Sequence, residues 1–254
     1  MVSNTRDYRD IILQIDSELS KVQDADILLE HILMEARHVL NADAGTIYVR
    51  EGDQLVFKYS QNATLEKRLP PGHKLPYSNM RMPIDDTRVA GYAAKNRVAV
   101  RIDDAYAIPP EKPYSFNPSF DKQNNWKTRS ILACPLVTST GNLLGVIQVL
   151  NAMDESGEAV PFTDQDEKIF EHFASSATDA LERAFMTRAI ILRMNRMAEM
   201  RDPKETGAHV NRVAGYAAEI YDRWAFNRGI PEQERERKKD TLKMAAMLHD
   251  VGKV

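Results

Sequence analysis

The stretch TRSILACPLVTSTGNLLGVIQVLN, residues 128–151, decides the fold because two apolar runs flank Ser139-Thr140-Gly141. Apolar runs joined by a short turn that contains glycine are typical of a β-hairpin. Earlier in the chain, AGTIYVR (44–50) and QLVFKYS (54–60) alternate in polarity around Glu51-Gly52-Asp53. The sequence therefore predicts two hairpins.

Between and around these hairpins the apolar spacing is helical. Residues 7–22 carry one apolar face, and Asp24 or Asp26 is expected to cap a helix that follows. Asp85 or Asp86 is expected to cap a short helix over 87–95. Towards the end of the chain, a last helix is expected to begin near Asp240, after the charged run 232–239.

A helix of nearly forty residues is predicted from Thr163 onward. Its apolar positions form a heptad-like seam: Phe170, Phe173, Ala177, Ala180, Ala184, Thr187, Ile191, Met194 and Ala198. Because a small domain cannot bury so long a face alone, we expect this helix to pair with its copy in a homodimer.

Residues 104–128 form a polar, Pro-rich loop that is long for a compact domain. Long ordered loops usually serve as lids or binding loops. A small-molecule ligand beneath this loop is therefore a candidate.

Composition excludes several other classes. The net charge of −3 is too small to indicate a nucleic-acid polymer as partner. No apolar run is long enough to predict a membrane span, and the polar start MVSNTRDYRD does not resemble a signal peptide. The single cysteine, Cys134, cannot form an internal disulfide, which fits a cytoplasmic location, and its apolar surroundings favour a core position over a reactive thiol.

Four residues near the end of the chain are candidate metal ligands: Glu205, His209, His249 and Asp250. Mixed histidine and carboxylate ligands suit iron, manganese or zinc, and two such ions would activate a water and bind a phosphate. Alternatively, Glu205 completes a capping box with Asp202, His249 is a core histidine, and Asp250 pairs with a basic residue.

The segments MRDPKETGAHVNRVAGYAAEI (200–220) and AAMLHDVGKV (245–254) resemble the opening of HD-GYP domains, a bacterial branch of the HD phosphohydrolases. The resemblance implies hydrolysis of cyclic di-GMP at a bi- or trinuclear iron or manganese site. It implies that Glu205, His209, His249 and Asp250 are metal ligands and that Asp250 and Lys253 are catalytic, Lys253 by contacting phosphate. The family's later ligands and its Gly-Tyr-Pro segment are absent from these 254 residues. We therefore expect this chain to bind no metal and to be inactive.

The segments MPIDDTRVAGYAAKNRVAVRIDD (82–104), 128–151 and FTDQDEKIFEHFASSATDALERA (162–184) resemble a GAF domain. Cyclic-nucleotide-binding GAF domains carry a motif that braces the pocket, and this chain matches it at Asn151, Phe162, Asp166 and Glu167. Ala152 stands where those domains have a lysine, so their lysine–aspartate ion pair cannot form. Alternatively, FTDQDE is a helix cap with Thr163 as its first residue. The ligand remains unknown.

Together these resemblances imply an α+β GAF domain, in which an antiparallel sheet has helices on one face and a pocket on the other. A long linker helix and truncated all-α HD-type helices follow. The expected divisions are a dimer helix (1–20), a GAF sensor (21–185), a linker helix overlapping its end (163–200) and an incomplete HD-GYP domain (201–254).

The functional hypothesis is a signal-transduction protein whose GAF sensor regulates a cyclic di-GMP phosphodiesterase. Two alternatives are a dimerisation or binding module without enzymatic output, and a hydrolase of another nucleotide phosphate ester.

Overall fold

A computed structural model describes Leu19, Val22 and residues 24–69, 80–199 and 207–249. The dimer helix expected over 1–20 lies outside this description except for Leu19. Two compact units are present, one containing residues 29–179 and one containing residues 24–28, 180–199 and 207–249.

The described helices are α1 (Ala25–Val39), α2 (Ala63–Glu66), α3 (Val89–Asn96), α4 (Ser119–Asn124), α5 (Asp164–Glu199), α6 (Gly207–Asn227) and α7 (Glu232–Met247). The strands are β1 (Ala42–Glu51), β2 (Gln54–Asn62), β3 (Arg81–Pro83), β4 (Val100–Ile102), β5 (Ile131–Val137), β6 (Leu143–Met153) and β7 (Ala159–Val160).

The seven strands form one antiparallel sheet in the order β3-β2-β1-β6-β5-β4, and β7 pairs with β6. Both predicted hairpins are confirmed, as β1–β2 and β5–β6. Their turns need Gly52 (φ 64°) and Gly141 (φ 85°), because other residues rarely adopt a positive φ.

The pair β1–β6 lies at the centre of the sheet, and Gly145 makes its closest approach. A Cβ atom at Gly145 would lie 2.0 Å from the carbonyl oxygen of Tyr48 in β1. Since that neighbour is backbone and already paired in the ladder, it cannot move aside cheaply. The central pairing therefore requires glycine at this position.

Helices cover both faces of the sheet. On one face α1 lies over β1, where a Cβ at Gly45 would be 2.8 Å from a δ-carbon of Leu33. On the other face, buried α3 residues pack with strand residues such as Tyr48 and Val146 in one hydrophobic cluster. The sheet face that was expected to carry an open pocket is therefore covered by α3, whose buried residues pack against it.

The sequence was wrong about two helix starts. Neither Asp85 nor Asp86 caps α3, whose N-cap residue is Arg88. Instead, Asp85 accepts hydrogen bonds from the backbone N–H and hydroxyl of Thr87, and Asp86 pairs with Lys95. Local turn geometry competes here with capping.

The last helix, α7, begins at Glu232 and not near Asp240. The charged run is helical along its length, with an i,i+4 ion pair between Glu234 and Lys238 (2.6 Å). Asp240 consequently lies inside the helix and is buried.

Helix α5 has 36 residues, and its start confirms the expected cap. The carboxylate of Asp166 accepts from the N–H and the hydroxyl of Thr163, both at 2.7 Å, and the Thr163 hydroxyl accepts from the Asp166 N–H. Seam residues from Phe170 to Ala184 are buried within the chain itself, whereas Met194 is exposed. The dimer expected from this seam stays a prediction.

In the second unit, α6 and α7 form an antiparallel pair. Val210 and Ala214, near the start of α6, form a small buried cluster with Met247 at the end of α7 and with Ile191 of α5. The chain reverses between the two helices at Gly229, whose φ of 67° is one that glycine adopts readily.

We expect Gly145→Ala to destabilise the chain by about 1–3 kcal/mol, because the added methyl group has no space between β1 and β6. Urea unfolding followed by circular dichroism measures the change. Gly215→Ala is the matched control, since the same methyl group meets nothing within 4 Å in α6. Equal stability of the Gly145→Ala variant and the wild type would contradict the close approach.

Candidate functional site

The loop expected to act as a lid, residues 104–128, is ordered around the buried carboxylate of Asp121 in α4. It accepts hydrogen bonds from the hydroxyl of Tyr106 (2.8 Å), and from the N–H (2.7 Å) and hydroxyl (2.9 Å) of Thr128. Burial, together with the adjacent charge of Asp121, raises the pKa of Tyr106. One carboxylate thus ties together the beginning, the middle and the end of the loop.

A second buried carboxylate attaches the same loop to the sheet. Asp43 in β1 accepts from the indole N–H of Trp126 (2.8 Å) and from the N–H (3.0 Å) and hydroxyl (2.8 Å) of Thr64. Because Asp43 belongs to a central strand, the far end of the loop is fixed to the rigid part of the unit.

A cleft of about 300 Å³ opens within the loop. Aromatic, proline and polar residues line it: Ala105, Tyr106, Ile108, Pro109, Pro110, Lys112, Tyr114, Ser115, Phe116 and Pro118. The rings of Tyr106 and Phe116 lie 5.3 Å apart, centre to centre. Apolar walls with a few polar groups are typical of small-ligand sites, and this volume is at the lower limit for one.

The predicted brace residue Asn151 holds the segment between the loop and β5. Its side-chain oxygen accepts from the N–H of Arg129 (2.7 Å), and its amide donates to the carbonyl of Lys127 (2.8 Å). Asn151 is buried and has a φ of 57°, a conformation that asparagine tolerates better than most residues. It supports the loop and does not line the cleft.

The other brace residues lie around the start of α5. Phe162 is buried, and Asp166 caps the helix. Glu167 forms an ion pair with Arg101 of β4 (3.1 Å), and Arg101 also contacts Asp164 (2.6 Å). Sequence reasoning missed Arg101, although it noted that the usual lysine is replaced by Ala152. Arg101 supplies a cation to the first turn of the linker helix from a different strand.

Two buried groups are unsuited to reaction. Burial raises the pKa of the Tyr48 hydroxyl to about 12, and burial next to Glu171 and Glu167 raises the pKa of the Cys134 thiol. Both groups stay protonated at neutral pH. Cys134 is buried, which confirms the core position expected for it.

Of the predicted metal ligands, the structure brings two together. The rings of His209, at the start of α6, and His249, just after α7, lie 5.5 Å apart, and Nδ1 of His249 is 2.7 Å from the carbonyl oxygen of Ala246. Glu205, Asp250 and Lys253 lie outside the described residues. Among the residues described, no three His, Cys, Asp or Glu side chains form a group that could hold a metal ion.

Comparison with known proteins identifies the first unit. A family model described as "GAF domain" matches residues 24–181. Two curated relatives are the dual 3',5'-cyclic-AMP and -GMP phosphodiesterase 11 of Drosophila melanogaster (26% identical, 66% of this chain) and phosphodiesterase 11A of Takifugu rubripes (27%, 69%). The matches span only 11% and 19% of those proteins.

Solved structures support the same fold. The GAF domain of a phosphoenolpyruvate-protein phosphotransferase from Coxiella burnetii matches with a TM-score of 0.55 at 18% identity, over 74% of this chain and 99% of that one. A GAF sensor protein from Burkholderia vietnamiensis matches with a TM-score of 0.52 at 20% identity, over 70% and 94%. In the part of the chain that is described, no helix is long and apolar enough to cross a membrane.

We expect Asp121→Asn to destabilise the first unit by about 1–3 kcal/mol, because the charged acceptor of three hydrogen bonds is lost from a buried position. Trypsin should then cut faster at the lysines of residues 104–128. Urea unfolding and timed proteolysis measure both effects, with the exposed Glu111→Gln on the same loop as control. Unchanged cleavage would show that Asp121 does not order the loop.

We expect Arg101→Met to cost less than about 1 kcal/mol of overall stability, because the ion pair is partly solvated. Amide exchange over the first turns of α5 should nevertheless increase. The control is Arg81→Met, which removes a comparable exposed pair with Glu51 (2.9 Å) at the other edge of the sheet. Equal exchange at the start of α5 in both variants would contradict the anchoring role of Arg101.

Proposed function

The chain belongs to the GAF domain family over residues 24–181, and from this premise we propose that it is a signalling sensor that regulates a metal-dependent phosphodiesterase of the HD-GYP type acting on cyclic di-GMP. The observation that carries the proposal is the uninterrupted helix α5. It begins beside Arg101 of β4 and continues without a break for 36 residues, the last of which belong to the unit that contains His209 and His249.

The sensor part rests on the family and on the relatives. Proteins whose names describe cyclic-nucleotide phosphodiesterases match this chain over about two thirds of its length. The loop over 104–128 offers a cleft with aromatic walls for a small ligand. Asp121 holds the start of the loop at Tyr106, and Asp43 of β1 holds its end at Trp126. A ligand in the cleft would therefore affect the sheet through these hydrogen bonds.

The phosphodiesterase part rests on the two motifs and on the proximity of His209 and His249. Iron or manganese would be held by these histidines with Glu205 and Asp250, and Lys253 would contact a substrate phosphate. Bound there, the metal would activate a water and stabilise negative charge on the phosphate. In this chain Nδ1 of His249 lies 2.7 Å from the carbonyl oxygen of Ala246, a contact that orients the ring.

We further propose a cytoplasmic homodimer formed through the linker helix. Its support is a second apolar stripe on α5, the exposed side chains of Met186, Ile190 and Met194, which repeat every four residues. Light scattering should give twice the mass of one chain, and Ile190→Lys should give the monomer mass. A monomer in the wild type at high concentration would contradict this part.

A binding module without enzymatic output is the second candidate. The cleft of about 300 Å³ in the loop over 104–128, which is all that a binding role would need, supports it. Thermal unfolding with cyclic AMP, cyclic GMP or cyclic di-GMP tests for a ligand, since one at 100 times its Kd adds about 2.7 kcal/mol to the stability of the folded state. An upward shift supports the sensor role whichever output is correct, and no shift with any of the three removes these nucleotides as ligands.

The metal site is tested by paramagnetic broadening. Because the partial ligand set of this chain is expected to retain no metal by itself, the test adds Mn²⁺ in excess. Transient contact with the added ion should broaden the side-chain NMR signals of His209 and His249 together and leave those of His31 and His172, which lie in the first unit, unchanged. His209→Ala should reduce the broadening at His249. Equal broadening of all four histidines, or none, would contradict a metal site.

A further inference from the structure

Five charged residues of the second unit lie close together. Asp24 and Asp26 lie at the start of α1, Arg188 lies in α5, and Asp240 and Lys243 lie in α7. More than two hundred residues separate the α1 and α7 members in sequence. The hypotheses drawn from sequence motifs gave none of these contacts a role.

The contacts are short and reciprocal. The backbone N–H of Asp24 donates to Oδ1 of Asp240 (2.6 Å). The ammonium of Lys243 donates to Oδ1 of Asp24 (2.8 Å) and to Oδ2 of Asp26 (3.0 Å). The guanidinium of Arg188 binds the same Oδ2 of Asp26 at 2.8 Å.

The same oxygen of Asp24, Oδ1, also accepts hydrogen bonds from the first turn of α1. It accepts from the backbone N–H groups of Asp26 (3.0 Å) and Ile27 (3.1 Å), so Asp24 is the N-cap of α1. The oxygen that caps α1 is therefore also the oxygen that binds Lys243. The first turn of α1 and the middle of α7 share one acceptor.

Burial makes these contacts costly to break. Asp24 and Asp240 are only 2% and 6% exposed. Burial raises the pKa of Asp26, but Lys243 and Arg188 lower it more, so its pKa lies below the ordinary value. Burial lowers the pKa of Lys243, but Asp26 and Asp24 raise it more. Asp26 and Lys243 are therefore charged at neutral pH, and removing one leaves the other without this opposite charge.

We propose that this cluster, which we call the coupling joint, couples the first turn of α1 to α7, the helix that leads to His249. The two helical segments then unfold and refold together. This inference deepens the proposed function and rests on it for its biological meaning. Within the coupling joint, Asp26 and Lys243 are positioning residues. They determine where α7 lies and contact no substrate. A change that reaches the start of α1 is thereby passed to α7.

The test is reciprocity, because energetic coupling acts equally in both directions. Hydrogen exchange by mass spectrometry on the whole chain compares Asp26→Asn with Lys243→Met. Asp26→Asn should speed exchange in α7 by about tenfold, and Lys243→Met should speed exchange in the first turn of α1 by a similar factor, as expected for loss of a hydrogen bond to a charged group. Lys243→Arg should restore slow exchange in both places.

Lys238→Met is the matched control, since it removes an exposed pair with Glu234 in the same helix. It should leave α1 unchanged. The joint is overturned if Asp26→Asn leaves α7 exchange unchanged, or if Lys243→Met affects α7 alone. If Lys243→Met does not fold, the Asp26→Asn measurement decides by itself.

Failure of the joint and failure of the proposed function are separable. If the two variants affect exchange reciprocally but Mn²⁺ does not broaden His209 and His249 together, the coupling joint is supported and the metal site is contradicted. If Mn²⁺ broadens both histidines but the exchange effects are not reciprocal, the metal site is supported and the coupling joint is contradicted.

Discussion

The close pairing of β1 with β6 is the constraint on which the sensor unit depends. Gly145 leaves no room for a side chain against the Tyr48 carbonyl, so the two central strands are held in one register. Further along β6, Asn151 binds the backbone at Lys127 and Arg129 and so supports the end of the loop over 104–128. After β7 the chain reaches Thr163, where α5 begins. One strand therefore links the core, the candidate ligand loop and the long helix.

Much of the fold follows from local sequence. The turns at Gly52 and Gly141 and the Thr163–Asp166 cap involve residues a few positions apart, so pattern and spacing were sufficient. The errors arose where distant partners decide the outcome. Asp240 was taken for a helix start, but its carboxylate binds the N–H of Asp24 from inside α7. Arg101 was missed because its partners, Asp164 and Glu167, lie on another element.

The candidate sites follow the same division. Motif spacing pointed to His209, at the start of α6, and to His249, just after α7, and their rings lie 5.5 Å apart. Nothing local identified Asp121 or Asp43 as the carboxylates that order the loop, because their partners are distant donors. In both units, buried acidic residues serve as shared acceptors for several elements. A ligand or charge change at such a residue would act on all of these elements at once.

We propose that the state of the loop over 104–128 affects, through α5, both α6, which bears His209, and α7, which precedes His249. The most direct measurement is hydrogen exchange over residues 180–199 and 207–247, comparing the wild type with Trp126→Phe, which removes the hydrogen bond between the loop and Asp43 of β1. The account predicts faster exchange in both ranges in the variant. Exchange identical to that of the wild type in both ranges would contradict it.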